Sequence, residues 1–272
     1  MAWVPDVWRR ATRRLRHFPT MVVIGNDRAA VGELYASLSC HPRCFAAARP
    51  IDYFSLHPGK SVSWYRSKFP LAIRVARKRG HVLEASHSYL ATPSALRLMR
   101  QVLPKTRVVA LVNDPVERAY SHYLHRRVNA GETRSFAACV AEEFRSGKLT
   151  PRLGSTLQPK AAPMLGYVSR GYYAFQLELL LKLYPRNKVL VLDSGSFPSE
   201  MSGTCERVFN FMGLDHHDVQ VMQSEPRGRE AQRMDSNVAT LLRAHYRPYD
   251  ELLAEVVGQR FSWMPFSVAA AA

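Results

Sequence analysis

The sequence predicts an α/β fold, a single domain with a central parallel β-sheet flanked by helices. Two observations predict it. Short apolar runs rich in β-branched residues alternate with stretches of helical spacing, and two of those runs pass straight into a helix through a polar turn. With 272 residues, 47% of them hydrophobic, the chain can bury a sizeable core.

Met21 to Gly25 (MVVIG) reads as a buried strand. Asn26-Asp27-Arg28 makes the turn, and Ala29 to Ser39 follows a helical pattern with Leu34 and Leu38 on one face. Such a βα turn is where α/β proteins hold phosphates. It is not a Walker A loop, because Ala30 and Val31 stand where GxxxxGK[ST] needs Gly and Lys. Phe45 to Ala48 and Ile51 to Phe54 read as short extended pieces broken by Pro50. A short amphipathic segment begins at Ser63 and stops near Pro70, and Val82 to Glu84 reads as a strand. Thr92-Pro93 opens a helix carrying Leu96, Met99 and Leu103, closed by Pro104.

Arg107 to Tyr123 organises the chain. Val108 to Val112 is an apolar strand. Asp114 then suits an N-cap, Pro115 the first helical position, and Glu117 lies three residues past the cap. Helix N-termini attract anions, and Arg118 and Ser121, three apart, are expected on one face there. Thr133 to Phe144 predicts a further helix, and 146–162 an exposed loop rich in Gly, Pro, Ser and Lys. Tyr167 to Tyr184 predicts a helix, Lys188 to Asp193 a strand, and Cys205 to Met212 a helix ended by Gly213. His216 to Asp235 is polar and basic. Val238 to Val257 is the last helix.

Lys and Arg number 38 against 22 Asp and Glu, a net charge of +16. The excess favours polyanionic partners without choosing among them. The chain carries no zinc-finger, RRM or helix-turn-helix signature, so a nucleic-acid partner is not expected. Cys40 and Cys44 flank His-Pro-Arg, which is not a zinc spacing, and no metal site is expected. No apolar run approaches the ~20 residues of a membrane span, and no secretory signal is legible. Residues 1–20 read as a solvated basic segment, 21–264 as the domain and 265–272 as a frayed tail.

Six segments, in order, resemble the sulfotransferases that use 3′-phosphoadenosine 5′-phosphosulfate (PAPS), above all the heparan sulfate branch. ALVNDPVERAYSHYLH resembles the family's 3′-phosphate motif, RDPxERAxSxY. VVIGNDRAAVGELYASLSCHP resembles its 5′-phosphosulfate loop and following helix. The Ser63–Pro70 segment resembles WYxxxFP, and Glu84–Tyr89 resembles EKSPxY. Arg170 to Asp193 and Leu242 to Met264 resemble the family's two closing segments.

The resemblance implies a P-loop-like sulfotransferase fold, PAPS as donor and a carbohydrate or other polyanionic acceptor. It implies the Golgi lumen, although no anchor is legible here. It places the nucleotide against Arg28, Ala29, Ala30, Val31 and Gly32, against Asn113, Arg118 and Ser121, and against Arg227, Gly228 and Arg229. The departures fall at the chemistry. Arg28 replaces the loop's usual Lys, Ala29, Ala30 and Val31 replace its two Gly and its Thr, and Asn113 replaces the leading Arg of the 3′-phosphate motif. Pro50 takes the position of the usual catalytic Glu. Asp52, two residues on and on the same face of an extended piece, is a substitute base, and His87 is the other candidate. The competing expectation is a non-catalytic relative that binds nucleotide or acidic glycan.

Overall fold

The computed structural model describes residues 6–47, 50–146, 166–197, 199–219 and 233–265. In chain order the elements are α1 (Asp6–Ala11), β1 (Met21–Gly25), α2 (Arg28–Leu38), β2 (Cys44–Ala46), α3 (Tyr53–Leu56), α4 (Val62–Arg66), α5 (Ala72–Arg77), β3 (His81–Ser86), α6 (Pro93–Val102) and β4 (Arg107–Val112). There follow α7 (Pro115–Asn129), α8 (Phe136–Arg145), α9 (Tyr173–Leu183), β5 (Val189–Asp193), α10 (Met201–Met212) and α11 (Ser236–Val257). Where the sequence reads one domain, the contacts group into two compact units, each made of two stretches: Met1–Leu111 with Leu179–Glu230, and Val112–Glu178 with Ala231–Ala272.

The first unit is built on a five-stranded parallel sheet of order β2-β3-β1-β4-β5. β1 lies between β3 and β4, with Met21 opposite Leu83 on one side and Arg107 on the other. Strand residues alternate between the two faces of the sheet. Val23, Leu83, Ala85, Val109 and Leu111 pack with Leu34 and Leu38 of α2 and with Val208, Phe209 and Met212 of α10. Glu84 alternates to the opposite face, where Tyr65 and Tyr89 meet it. Gly25 ends β1 because space demands it: a Cβ there would lie 3.0 Å from Val31 Cγ2 and 3.1 Å from Leu111 Cβ.

The basic N-terminal segment docks through Arg16 and His17, while Arg10, Arg13 and Arg14 are exposed as expected of a solvated segment. Arg16 is buried, and its Nη1 donates to the Phe69 carbonyl at 2.5 Å. Arg66 Nε donates to the Arg16 carbonyl at 2.6 Å, and His17 N to the Pro70 carbonyl at 2.9 Å. The Lys68, Phe69 and Pro70 carbonyls thus take their donors from this segment, from Arg9 Nη1, Arg16 Nη1 and His17 N in turn.

The second unit packs α7, α8 and α11 around the Tyr167–Tyr172 stretch, with Val116, Tyr123, Phe136, Val140, Leu242 and Tyr246 in its core. The helix expected from Tyr167 starts only at Tyr173. Before it, Ser169–Gly171 form a single 3-10 turn, and a Cβ on Gly171 would lie 2.5 Å from the Tyr246 hydroxyl. The aromatic packed on this glycine fixes the turn, which helical spacing alone does not reveal. α8 begins at Phe136 rather than Thr133 because Ser135 caps it, accepting from Ala138 N at 3.2 Å. Gly213 ends α10 as expected, in the left-handed conformation at φ 74°.

Ile51–Phe54 is not extended. Tyr53–Leu56 is a helical turn, and Asp52 precedes it with φ 49° and ψ 32°. The reason is long-range: Phe54 N donates to the Tyr89 hydroxyl at 3.3 Å, closing the turn onto the loop after β3.

Gly80 ties the turn before β3 to the sheet edge. A Cβ there would fall 2.4 Å from Phe45 Cε2 and 2.6 Å from the Arg43 carbonyl. Gly80→Ala therefore lowers stability by roughly 1–3 kcal/mol, read as a lower denaturant midpoint at unchanged slope. An unchanged midpoint would contradict this packing.

Candidate functional site

In the first unit the chain runs from β1 to β2 and β3 on one side, then crosses to β4 on the other, so the strand order reverses at β1. Open α/β sheets bind ligands at such a reversal, outside the carboxyl ends of the strands. Ile24 pairs with Ser86 and Gly25 with Leu111, so the turn after β1 and the loop after β3 emerge at this edge. The register thus gathers Arg28, Asp52 and His87 in one region of the unit.

Asp27 accepts from Ala29 N at 2.9 Å and Ala30 N at 3.2 Å, capping α2. The cap takes two N–H groups that an anion would otherwise use, and it adds a negative charge. Arg28 is exposed and in no ion pair among the described residues. Ala30 and Val31 are buried, so their side chains pack inward rather than face a ligand. Gly32 is exposed with open space around it.

Asp52 is held by serines. Ser86 Oγ and Ser88 Oγ both donate to Asp52 Oδ1, the second at 2.9 Å. Ser55 Oγ lies 2.6 Å from Ser88 Oγ. A non-glycine residue in the left-handed region needs neighbours that over-determine it, and three serines and the Phe54 anchor do so here. His87 sits between Ser86 and Ser88, half-buried. The structure therefore brings both candidate bases to one loop, by a route other than the extended geometry read from the sequence.

Behind this loop lies Glu84, fully buried. It accepts hydrogen bonds from the Tyr65 hydroxyl and, at 2.7 Å, from the Tyr89 hydroxyl. Burial pushes its pKa up to about 7 despite both donors. The same Tyr89 oxygen receives Phe54 N, so a continuous chain runs from Glu84 to the turn that carries Asp52. Sequence reasoning missed this role. The signal was a Glu inside an otherwise apolar strand.

In the second unit, Asp114 caps α7 by accepting from Val116 N at 2.8 Å. Asn113 Oδ1 accepts from the Tyr173 hydroxyl at 2.9 Å. Arg243 of α11 stands at this helix end, 3.7 Å from Asp114 and 3.8 Å from Glu117, a cation that sequence spacing did not flag. Arg118 and Ser121 part company: Arg118 is buried and Ser121 exposed. Three residues of helix separate the pair by about 60°, which is enough to put one in the core and the other in solvent. Arg118 Nη2 donates to the Tyr167 carbonyl, while Nε and Nη1 find no hydrogen-bond acceptor among the described residues. Nearby His122 is held down to about 3 by burial and by Arg118, Arg170 and Arg126. Buried Glu143 offsets part of this charge, accepting from Val168 N and Ser169 N at 2.8 Å and acting on Arg170. Arg227, Gly228 and Arg229 lie outside the described residues.

A profile of the sulfotransferase domain matches residues 49–241. The chain belongs to the sulfotransferase family. The matched span begins after β1 and α2, so the turn holding Arg28 lies outside it. The chain is 24% identical to a human bifunctional heparan sulfate N-deacetylase/N-sulfotransferase 1, covering 96% of this chain and 32% of that protein. It is 26% identical to a human heparan sulfate glucosamine 3-O-sulfotransferase 6, covering 91% and 74%. It thus spans about a third of the length of the bifunctional enzymes. The crystal structure of a sulfotransferase from Alicyclobacillus acidocaldarius has the same fold, with a TM-score of 0.69 at 21% identity over 90% of this chain and 98% of that one. No helix among the described residues is long and apolar enough to cross a membrane, and none of their side chains cluster as a metal site.

The raised pKa of Glu84 makes stability depend on pH. Its folded value lies above the unfolded one, so its contribution is complete below about pH 4.5 and is lost as pH rises through about 7. The parent is expected to lose of the order of 1–3 kcal/mol between pH 5 and 8 from this group, whereas Glu84→Gln flattens that slope. Denaturant melts of both proteins across this range check it, and parallel slopes would remove Glu84 as the cause.

Proposed function

We propose that this chain moves a sulfuryl group from PAPS to a hydroxyl or amine of a heparan-like carbohydrate. One observation carries the reading: an exposed arginine, Arg28, in the turn after β1 and a serine-held carboxylate, Asp52, against the end of β3 both lie toward the carboxyl ends of the strands in a sulfotransferase-family chain. The acceptor class comes from the relatives, whose names place their reactions on heparan sulfate.

The residues fit the donor unevenly. In the second unit, buried Arg118 has two nitrogens without an acceptor among the described residues, which suits a phosphate, and Ser121 offers an exposed hydroxyl. In the first, Asp27 occupies two of the helix N–H groups, which leaves Arg28 as the cation for the phosphosulfate.

PAPS supplies a sulfuryl group on a phosphate leaving group. Arg28 balances the charge that grows on that phosphate as the S–O bond breaks. Asp52 takes the proton that the acceptor oxygen or nitrogen loses as it bonds to sulfur. Ser86 and Ser88 fix the carboxylate so that its orientation is not paid for during reaction. His87, in the same loop, is the alternative base.

The Asp27 cap favours a second reading, a family member that binds nucleotide without turnover, because it places a carboxylate where the family's loop meets phosphosulfate. Transfer of labelled sulfuryl from PAPS to N-desulfated and O-desulfated heparan acceptors separates the two. Incorporation above a no-protein control supports the enzyme. Nucleotide binding with no incorporation on any acceptor supports the second reading, and absent nucleotide binding refutes both.

Asp27→Asn keeps a cap but removes the charge. Calorimetry with 3′-phosphoadenosine 5′-phosphate is expected to show about fivefold tighter binding, the effect of one charge beside a helix N-terminus. Equal or weaker binding would place the nucleotide away from this turn.

A further inference from the structure

A second basic site lies at the opposite edge of the same sheet. From Tyr53 to Leu83 the chain holds seven Lys and Arg and no Asp or Glu. Three of these, Arg74, Arg77 and Lys78, line a cleft of about 410 Å³ with Pro42, Phe45 and Ile73. All three are exposed, and none is in an ion pair among the described residues. The nearest ion pair joins Arg43 to Asp215 at 3.4 Å.

The cleft is built, not incidental. Arg43 Nε and Nη2 donate to the Arg79 carbonyl at 3.2 and 2.9 Å, and His81 N donates to the Arg43 carbonyl at 2.8 Å. Arg79 adopts a positive φ of 45°, and Gly80 allows backbone contact that any side chain would block. Arg74 lies over the Phe45 ring at 5.6 Å. These restraints hold the backbone at the end of α5 against the β2 edge, and Arg74 is further held over Phe45.

The cleft is remote from the chemistry. Cys44 of β2 pairs with His81, the first residue of β3, whereas Asp52 is held by Ser86 at the last. Five residues of strand separate these ends by about 17 Å. A ligand in the cleft therefore does not occupy the region of Arg28 and Asp52.

We infer that this cleft is an exosite for an acidic polysaccharide, gripping a sulfated or carboxylated stretch of the chain away from the reacting sugar. The cations suit its sulfates and carboxylates, and the side chains of Ile73 and Pro42 suit the apolar faces of its rings. A bilayer is too flat to enter a concave cleft. Single-stranded nucleic acid binds through free aromatic faces, and the one ring here is covered by Arg74. That the ligand is a glycan rests on the function proposed above.

The test compares the full chain, Arg74→Ala/Arg77→Ala/Lys78→Ala, and a control with three exposed cations removed elsewhere, Arg97→Ala/Lys105→Ala/Arg207→Ala. Each is titrated with a long heparin-type chain and with a heparin-type tetrasaccharide over a range of salt. The cleft variant is expected to bind the long chain at least tenfold more weakly than the control, with a salt slope smaller than the parent's by about 2–3. Its transfer rate to the tetrasaccharide stays at the parent's value. Long-chain affinity equal to the control's overturns the exosite, and so does a parallel fall in tetrasaccharide transfer. An oligonucleotide of equal charge that binds as tightly, and is lost alike in the variant, overturns the glycan assignment. Cleft-dependent binding by a parent that transfers to no acceptor leaves the exosite standing and refutes the enzyme reading alone.

Discussion

Glu84 has no access to water, and that constraint shapes the face of the sheet on which Asp52 sits. A buried carboxyl must find donors or be neutral. Here Tyr65 from α4 and Tyr89 from the loop after β3 supply them. Tyr65 in turn stacks on Tyr53 at 4.5 Å, and Tyr89 receives Phe54 N. One buried polar group thereby sets three segments, and the turn they enclose presents Asp52 to Ser86 and Ser88. A hydrophobic residue at position 84 would leave both tyrosine hydroxyls seeking acceptors and Asp52 without its frame.

The two candidate anion corners solve the same electrostatic problem in opposite ways. The α2 N-terminus is closed by its own carboxylate, Asp27, with only exposed Arg28 beside it. The second unit instead buries Arg118, two of whose nitrogens find no acceptor among the described residues, beside Arg126, Arg170, a neutral His122 and the buried carboxylate of Glu143. An unsatisfied buried guanidinium is expensive, and such a cost is sustained where a ligand relieves it. This asymmetry is why the nucleotide end of the proposed site has stronger physical support than the transfer end.

Much of the fold was legible because its strands are short, β-branched and bounded by turns. MVVIG, RVVALV and VLVLD are all strands, and the caps Asp114 and Gly213 act as their residue types suggest. What escaped was long-range. The turn at Tyr53 depends on the bond from Phe54 N to Tyr89, thirty-five residues on, and the delayed start of α9 depends on Tyr246 against Gly171. The burial of Arg16 depends on carbonyls near Pro70. Of the proposed site, residue type and resemblance named Arg28, Asp52 and His87, and the fold places them at the ends of β1 and β3 or against them. The site's supporting parts, Glu84, Ser86, Ser88 and the Asp27 cap, carry no spacing that marks them in advance. The difference in burial between Arg118 and Ser121 was not legible from spacing, because a three-residue step can span the boundary between core and solvent.

Single-turnover transfer by Asp52→Asn, with nucleotide affinity measured alongside, decides whether Asp52, held by its serines, takes the acceptor proton. The transfer rate is expected to fall by about 10²–10⁴ with nucleotide affinity within twofold of the parent's. Transfer at the parent rate would contradict it and move the role of base to another residue.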